Sequence, residues 1–268
     1  MYTAIIYFNA NRLKMTIENR KQRIENSEKT KPIKLIIAST STVYGGSYLD
    51  YLTDELTEHF KDIDQLLFIP YARPSGLTHE AYTDIARCFF QKLTIKVQGI
   101  HEFENPIKAV KEAQAVFTGG GNTFVLVNEL YEQDLFPVLR QRILSGMPYL
   151  GTSAGSNITG QNMQTTNDMP IVPVPSYQTL GIFPFNINPH YLDPAPDLLK
   201  HMGETRDTRL KEYLHFNTIP VVALREGSYI KAKDGKWLLK GELPARIYFS
   251  LEDIREVASG TDIKTFFL

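Results

Sequence analysis

From residue 33 onward, short apolar runs alternate with longer segments of helical period. This alternation predicts an α/β fold with a mostly parallel sheet flanked by helices, because parallel strands need a crossover between them. The predicted strands span 34–39, 65–70, 94–100, 115–118 and 148–152, and the predicted helices span 47–60, 79–93, 106–113 and 122–145. A functional site is expected at the carboxyl ends of these strands.

The periodicity weakens after residue 158, where prolines mark a loop-rich stretch. A helix is predicted over 204–216, and strands are predicted over 220–224, 228–233, 236–239 and 246–250. Asp234 and Gly235 separate two of these strands and indicate a hairpin, because both residues tolerate the positive φ of a tight turn. The chain is therefore expected to end in a C-terminal antiparallel extension.

A chain of 268 residues with 43% hydrophobic and 22% charged residues matches an ordinary globular protein. We expect a single α/β domain over 34–268, preceded by a poorly ordered extension over 1–33, with Met15 as an alternative start. The net charge of -1 argues against a nucleic-acid partner. Neither a membrane span nor a signal peptide is evident, so we expect a cytoplasmic location. The single cysteine, Cys88, is expected to be a buried structural thiol.

Gly151, Ser153 and Gly155 form a Gly-x-Ser-x-Gly pattern directly after an apolar strand and before a predicted helix. This context is typical of a nucleophile elbow, in which a serine lies on a sharp strand-to-helix turn and a side chain at either glycine would collide with its neighbours. Ala154 would offer its backbone N–H at the start of the helix, where developing negative charge is favoured.

Three consecutive glycines, Gly119 to Gly121, also follow a strand and open a helix. A phosphate-binding loop is disfavoured, because the Lys-Ser/Thr pair of a P-loop and the G-x-G-x-x-G spacing are both missing. An oxyanion hole made by the N–H groups of Gly121 and Ala154 is the better interpretation.

A nucleophilic serine needs a general base, and the base needs a partner that holds its tautomer. Among six histidines, His190 differs because it ends an apolar stretch and follows Pro189. Asp168 is the matching candidate for the orienting carboxylate. The other five histidines are expected in solvent: His59, His79, His101, His201 and His215.

Five motifs occur in order within residues 34–232: Gly-Gly-Gly-Asn-Thr-Phe, the Ser-Ala-Gly elbow, Thr-Thr-Asn-Asp-Met-Pro-Ile, Asn-Pro-His and Gly-Glu-Thr-Arg-Asp-Thr-Arg. Together they make the chain resemble the peptidase E (aspartyl dipeptidase) family of serine peptidases. The resemblance implies a fold like class I glutamine amidotransferases (flavodoxin-like). It also implies a triad of Ser153, His190 and Asp168, with Gly121 and Ala154 as the oxyanion hole.

The resemblance further implies that Arg206 binds the side chain of an N-terminal aspartate, since arginine matches a carboxylate in two parallel hydrogen bonds. Glu204 would either orient Arg206 or meet the substrate ammonium. The expected substrate is a small peptide, and the sequence leaves a homodimer open. The chemistry would need neither metal nor cofactor, and the sequence shows no His-Glu-x-x-His or clustered metal-ligand pattern.

The chain departs from the family pattern at Ser156, where a small apolar residue is expected, and at Pro194 and Pro196 in the loop after His190. An α/β-hydrolase is disfavoured, because the acid lies only 15 residues beyond the serine and the histidine 22 further on. Two alternatives stay open: a cyanophycinase-like hydrolase of an aspartate-arginine polymer, and a catalytically silent peptide-binding protein.

Overall fold

The computed structural model describes residues 32–74, 76–193 and 204–268. The predicted N-terminal extension lies outside these ranges except for its last two residues, and Met15 lies outside them too. Pro194, Pro196 and His201 are also outside the described residues, together with Gly203 of the Gly-Glu-Thr-Arg motif.

Seven strands form the central sheet. They are β1 Leu35–Ala38, β2 Gln65–Ile69, β3 Lys96–Gly99, β4 Ala115–Thr118, β5 Tyr149–Thr152, β8 Tyr229–Lys233 and β9 Lys236–Lys240. Their spatial order is β3, β2, β4, β5, β1, β8, β9. The first five strands in the chain are mutually parallel, and the hairpin of β8 and β9 adds to β1 in antiparallel fashion. This confirms the predicted mostly parallel sheet.

A second sheet of four strands runs in the order β11, β10, β7, β6. Its strands are β6 Asn186–Asn188, β7 Val221–Ala223, β10 Ala245–Tyr248 and β11 Ile254–Val257. Strands β6 and β7 are parallel, while β10 pairs antiparallel with both β7 and β11. All pairings among β7 to β11, and the pairing of β8 with β1, are antiparallel, which confirms the expected C-terminal antiparallel extension. The sequence did not predict β6 or β11.

The helices are α1 Thr53–His59, α2 His79–Gln91, α3 Pro106–Glu112, α4 Thr123–Glu132, α5 Phe136–Leu144, α6 Ala154–Asn157 and α7 Arg206–Phe216. The single helix predicted over 122–145 is wrong, because the structure divides it into α4 and α5. Asp134 adopts φ 52°, the left-handed region, and Pro137 lies at the start of α5, where a proline has no helical N–H to lose.

Alternating side chains of the central strands build a hydrophobic core on each face of the sheet. One face, with Ile36 and Leu150, packs against α1 and α2. The opposite face, with Leu35 and Tyr149, packs against α4 and α5 and against the inner side of the second sheet. The outer side of the second sheet carries α7. The two sheets therefore share one core, and their strand ends can contribute to one site.

Two predictions about individual side chains are wrong. Cys88 is exposed on α2 rather than buried, because it points away from the stripe that packs on the sheet. His59 is 7% exposed at the end of α1, where it packs against Phe60, and burial lowers its pKa to about 3. Among the described ranges, no helix combines the length and apolar character needed to cross a membrane.

Candidate active site

Ser153 lies in the turn between β5 and α6 with φ 51° and ψ -111°. L-residues rarely adopt positive φ, so the surrounding contacts must enforce this conformation. Its N–H donates to the Ala38 carbonyl at 3.1 Å, and its carbonyl accepts from Ser156 and Asn157 at 2.9 Å each. The serine is thus fixed between a parallel strand and a short helix, as the elbow pattern predicts.

The two elbow glycines are required by close packing. A Cβ on Gly155 would lie 2.1 Å from the Thr118 carbonyl oxygen of neighbouring β4, and one on Gly151 would lie 2.4 Å from the Gly155 oxygen. Ser156, the departure from the expected apolar residue, is fully buried and directs its hydroxyl at the carbonyls of Ala38 and Gly151, at 2.6 and 2.8 Å. That hydroxyl therefore links the elbow to two strands.

The triple-glycine loop lies directly against the nucleophile, since a Cβ on Gly120 would be 2.9 Å from the Ser153 Cβ. Gly121 has φ 146°, and a Cβ there would lie 2.1 Å from the Ala72 carbonyl oxygen. Only glycine fits this close backbone approach.

The N–H groups on either side of Gly121 are engaged. Gly120 donates to the Tyr82 hydroxyl at 3.0 Å and Asn122 donates to the Ala72 carbonyl at 2.6 Å. Within the described part of the chain, neither Gly121 nor Ala154 has an acceptor for its N–H. Two unbonded donors beside a serine are what an oxyanion hole requires.

His190 brings the imidazole to the serine. It follows Pro189 at the carboxyl end of β6 and has φ 53°, and its N–H donates to the Ser39 hydroxyl at 2.8 Å. Its Nε2 lies 2.9 Å from the Ser153 Oγ, although the two residues are 37 positions apart in the chain. A hydrogen bond of this length suits proton transfer between serine and histidine.

The carboxylate beside the imidazole is Glu226, not the predicted Asp168. His190 Nδ1 lies 2.9 Å from Glu226 Oε1, so both ring nitrogens are already occupied. Sequence reasoning missed Glu226, which follows β7 by three residues. Because β6 and β7 are parallel neighbours, the residues after both strands meet at one edge. A correct prediction of strand β6 and of its pairing with β7 would have pointed to Glu226.

Asp168 instead lies against the N-terminus of α4, the helix that follows the glycine loop in the chain. Its Oδ2 accepts from the Thr123 N–H at 2.7 Å, the Thr123 hydroxyl at 2.6 Å and the Thr166 hydroxyl at 3.0 Å. A carboxylate in this position satisfies helix donors and interacts favourably with the helix dipole. The predicted contact with the imidazole is therefore corrected: Asp168 anchors the helix that begins where the glycine loop ends.

Arg206 is the first residue of α7 and is partly buried. The next residue, Asp207, accepts from the Tyr248 hydroxyl at 2.8 Å, and that hydroxyl lies 2.9 Å from the hydroxyl of Tyr191, the neighbour of His190. The start of α7 is thus connected to the histidine segment. In the described part of the chain Glu204 forms an ion pair with Arg209 and not with Arg206, so the first of its two expected roles, orienting Arg206, is not seen there.

Comparisons with known proteins identify the family of the chain. The profile of peptidase family S51 matches residues 35–240. The chain belongs to peptidase family S51. Peptidase E of Streptomyces coelicolor is 42% identical over 231 residues, which are 86% of this chain and 93% of that protein. The probable alpha-aspartyl dipeptidase of Drosophila melanogaster is 40% identical over 237 residues, which are 87% of this chain and 97% of that protein.

Two solved structures share the fold. A peptidase from an acI-B1 Actinobacterium has a TM-score of 0.63 at 17% identity, covering 87% of this chain and 97% of that one. A putative peptidase E from Listeria monocytogenes has a TM-score of 0.59 at 20% identity, covering 79% and 99%. The resemblance to peptidase E and the predicted fold class are confirmed, and this S51 member is a serine-type peptidase.

Proposed function

We propose that this peptidase is an aspartyl dipeptidase, an exopeptidase that hydrolyses short peptides after an N-terminal aspartate. The observation that carries the proposal is the hydrogen-bonded line from Ser153 through His190 to Glu226, with 2.9 Å at each step. The substrate class comes from relatives that are named peptidase E and probable alpha-aspartyl dipeptidase.

In the proposed reaction, Ser153 Oγ attacks the carbonyl carbon of the N-terminal aspartyl residue. His190 Nε2 takes the hydroxyl proton and returns it to the leaving amine, and Glu226 stabilises the imidazolium that forms between these steps. Water, activated by the same imidazole, then attacks the acyl-enzyme and releases aspartate. The pre-existing contact between Oγ and Nε2 makes the first proton transfer direct.

The oxyanion of each tetrahedral intermediate is stabilised by the N–H groups of Gly121 and Ala154. These donors are fixed by close packing before substrate arrives, so little reorganisation is needed as charge develops. Removing one such donor in other hydrolases costs about 3 to 4 kcal/mol of transition-state stabilisation. Asp168 contributes indirectly, through the helix start that follows Gly121.

Arg206 is proposed to bind the aspartyl side chain of the substrate. Its helix start is linked to the residue after His190 through two tyrosine hydroxyls, one of which bonds to the neighbouring Asp207, and these contacts bring the first turn of α7 near the histidine segment. Glu204 is engaged by Arg209 and is not assigned to the substrate ammonium. A small peptide is the proposed partner. Four statements stay predictions from the sequence: a homodimer, the lack of a nucleic-acid partner, a cytoplasmic location and the single domain over 34–268.

A dipeptide panel tests the proposal: Asp-Leu against Glu-Leu, Asn-Leu, Ala-Leu and N-acetyl-Asp-Leu, with an aspartate-arginine polymer included. Only free Asp-Leu should be cleaved rapidly. Arg206→Ala should lose Asp-Leu cleavage selectively, whereas Arg209→Ala, on the same helix, should not. Equal rates on acetylated and free peptide would refute the exopeptidase assignment, and preferential cleavage of the polymer would favour the cyanophycinase alternative.

Labelling with a serine-directed phosphonate separates an enzyme from a silent binding protein. The wild-type protein should be modified once, at Ser153, and Ser153→Ala should be neither labelled nor active while remaining folded. A folded wild-type protein that resists labelling would support the silent binder.

A further inference from the structure

Arg225, the residue before Glu226, has a guanidinium with all five N–H groups bonded. Nε and Nη2 donate to the Asp193 carboxylate at 2.7 Å each. Nη1 and Nη2 donate to the Glu256 carboxylate at 2.9 and 3.0 Å, and Nη1 also donates to the Pro244 carbonyl at 2.7 Å. Five donors in one plane is the full capacity of arginine. Its side chain is only 11% exposed, so this is not an ordinary surface ion pair.

The Asp193 fork connects the two segments that carry the proposed relay. Asp193 lies three residues after His190, and Arg225 immediately precedes Glu226. The guanidinium also lies 5.4 Å from the ring centroid of Tyr191, between His190 and Asp193 in the chain. Hydrogen bonds from Arg225 lower the pKa of the Asp193 carboxyl, so the fork stays charged at neutral pH.

The backbones of the two segments are paired as far as the Tyr191 N–H, which donates to the Leu224 carbonyl at 2.9 Å, but the relay side chains have few partners of their own. The side chains of His190 and Glu226 are 36% and 52% exposed, in contrast to the buried nucleophile elbow. His190 has a positive φ of 53°, which its neighbours must enforce. Among the described residues, the Glu226 carboxylate has His190 as its sole hydrogen-bond partner. Its position therefore depends on the backbone beside Arg225.

We propose that Arg225 is a positioning residue for the peptidase reaction. By hydrogen bonding to Asp193 and Glu256, it holds the His190 segment against the Glu226 segment. The Glu226 carboxylate thereby stays within hydrogen-bond distance of the imidazole. This role rests on the proposed function, because it acts through the relay. Arg225 itself touches neither Ser153 nor His190 through any described hydrogen bond.

The test compares Arg225→Gln and Arg225→Lys with Arg255→Gln. Arg255 forms a two-bond fork with Asp253 on the surface of the second sheet and contacts neither relay segment, so it is a matched control. In Arg225→Gln, kcat for Asp-Leu should fall roughly 10- to 100-fold with KM nearly unchanged, because a small displacement of the relay weakens chemistry more than binding. Lysine keeps the charge without the fork and should recover only part of the rate.

A second measurement does not depend on turnover. The His190 Nδ1 proton, bonded to a carboxylate, should give a strongly downfield NMR resonance that Glu226→Gln removes. Arg225→Gln should shift or broaden this resonance, and Arg255→Gln should leave it in place. If Arg225→Gln does not fold, Arg225→Lys carries both measurements.

Unchanged kcat and an unchanged resonance in folded Arg225→Gln and Arg225→Lys would overturn the positioning role, even if both variants were less stable. A wild-type protein that fails to cleave Asp-Leu but shows the resonance would count against the proposed substrate alone, and the resonance would still decide the role of Arg225. A resonance that survives Glu226→Gln would overturn the relay and the positioning role together.

Discussion

The site joins two halves that are built differently. The nucleophile half, which consists of the Gly119–Gly121 loop and the Ser153 elbow, lies on the adjacent central strands β4 and β5. Its geometry is set by backbone packing, because three of its glycines approach a carbonyl oxygen too closely for any side chain. The relay half, His190 and Glu226, lies after β6 and β7 of the smaller sheet and is substantially exposed.

Because of this difference, substitutions in the two halves should have different effects on folding and activity. Changes in the nucleophile half disturb a dry, close-packed region and should affect folding together with activity. Changes in the relay half remove charged contacts near solvent, where a lost ion pair costs little stability. They should therefore reduce catalysis while leaving the fold nearly intact.

The largest effect is expected in the relay half. Glu226→Gln should lower kcat by about 1,000-fold or more, because the amide no longer stabilises an imidazolium and permits the wrong histidine tautomer. The free energy of unfolding should change by less than about 1 kcal/mol. Steady-state kinetics and urea unfolding check both statements.

Asp168→Asn is the matched variant, since it makes the same chemical change at the carboxylate that the sequence favoured. It weakens the hydrogen bonds that Asp168 accepts at the start of α4. We expect kcat to fall less than in Glu226→Gln, and the His190 resonance to be preserved. If Asp168→Asn removed that resonance and Glu226→Gln did not, the assignment of the two carboxylates would be reversed.

The sequence predicted the nucleophile half because its information is local. Gly151, Ser153 and Gly155 lie within five positions, and the two glycines are required by close backbone contacts. The relay half is assembled by pairing β6 with β7, and β6 reads Asn-Ile-Asn, which is too polar and too short to indicate a strand. Its asparagines are buried because they bond to the loop around Asn162 and Thr165, contacts that no local pattern reveals.

The next largest effect is expected at the elbow. Gly155→Ala would place a methyl group 2.1 Å from the Thr118 oxygen, which is backbone and cannot move aside cheaply. We expect a loss of about 3 kcal/mol or more in the free energy of unfolding, together with loss of activity. Chemical denaturation measures the first and the Asp-Leu assay the second.

Gly45→Ala is the control for backbone strain alone. Gly45 has φ 76° but nothing within 4 Å of a Cβ, so alanine there should cost only about 1 kcal/mol and leave activity intact. Equal losses at Gly45 and Gly155 would contradict the close-packing account of the nucleophile half.

The helices show the same division between local and distant information. Strands β1 to β5 and the first three crossover helices follow from hydrophobic period, and the structure confirms them. The break between α4 and α5 was missed because the apolar period continues across it, although Pro137 marks the restart. The sequence placed His59 in solvent because its neighbours in the chain are polar, whereas its side chain lies on the buried face of α1.

Acid should destabilise the fold through His59, which is buried at the end of α1 on the central sheet. Burial lowers the His59 pKa to about 3, whereas the unfolded chain takes up a proton near pH 6.5. The unfolded state therefore binds more protons between these values, and stability falls as pH drops below 6.5. At pH 5 the loss from this group should be about 2 kcal/mol. In His59→Gln, the drop in unfolding free energy from pH 7 to pH 5 should be smaller by that amount; an identical drop would exclude His59 as the cause.

The smallest effect sharpens the comparison within the nucleophile half. Tyr82 is 1% exposed, and its hydroxyl accepts the N–H of Gly120 at 3.0 Å and so fixes the loop that presents Gly121. Tyr82→Phe leaves a buried donor unpaired, and we expect kcat to fall about 10-fold with KM nearly unchanged.

Tyr213→Phe, on α7, is its control, because the Tyr213 hydroxyl likewise accepts an N–H, from the Asn186 amide of β6 at 3.0 Å, but touches no part of the glycine loop. Removing it should lower stability without lowering kcat. A drop in kcat for Tyr213→Phe as large as for Tyr82→Phe would mean that general loosening, not the Gly121 donor, limits the reaction.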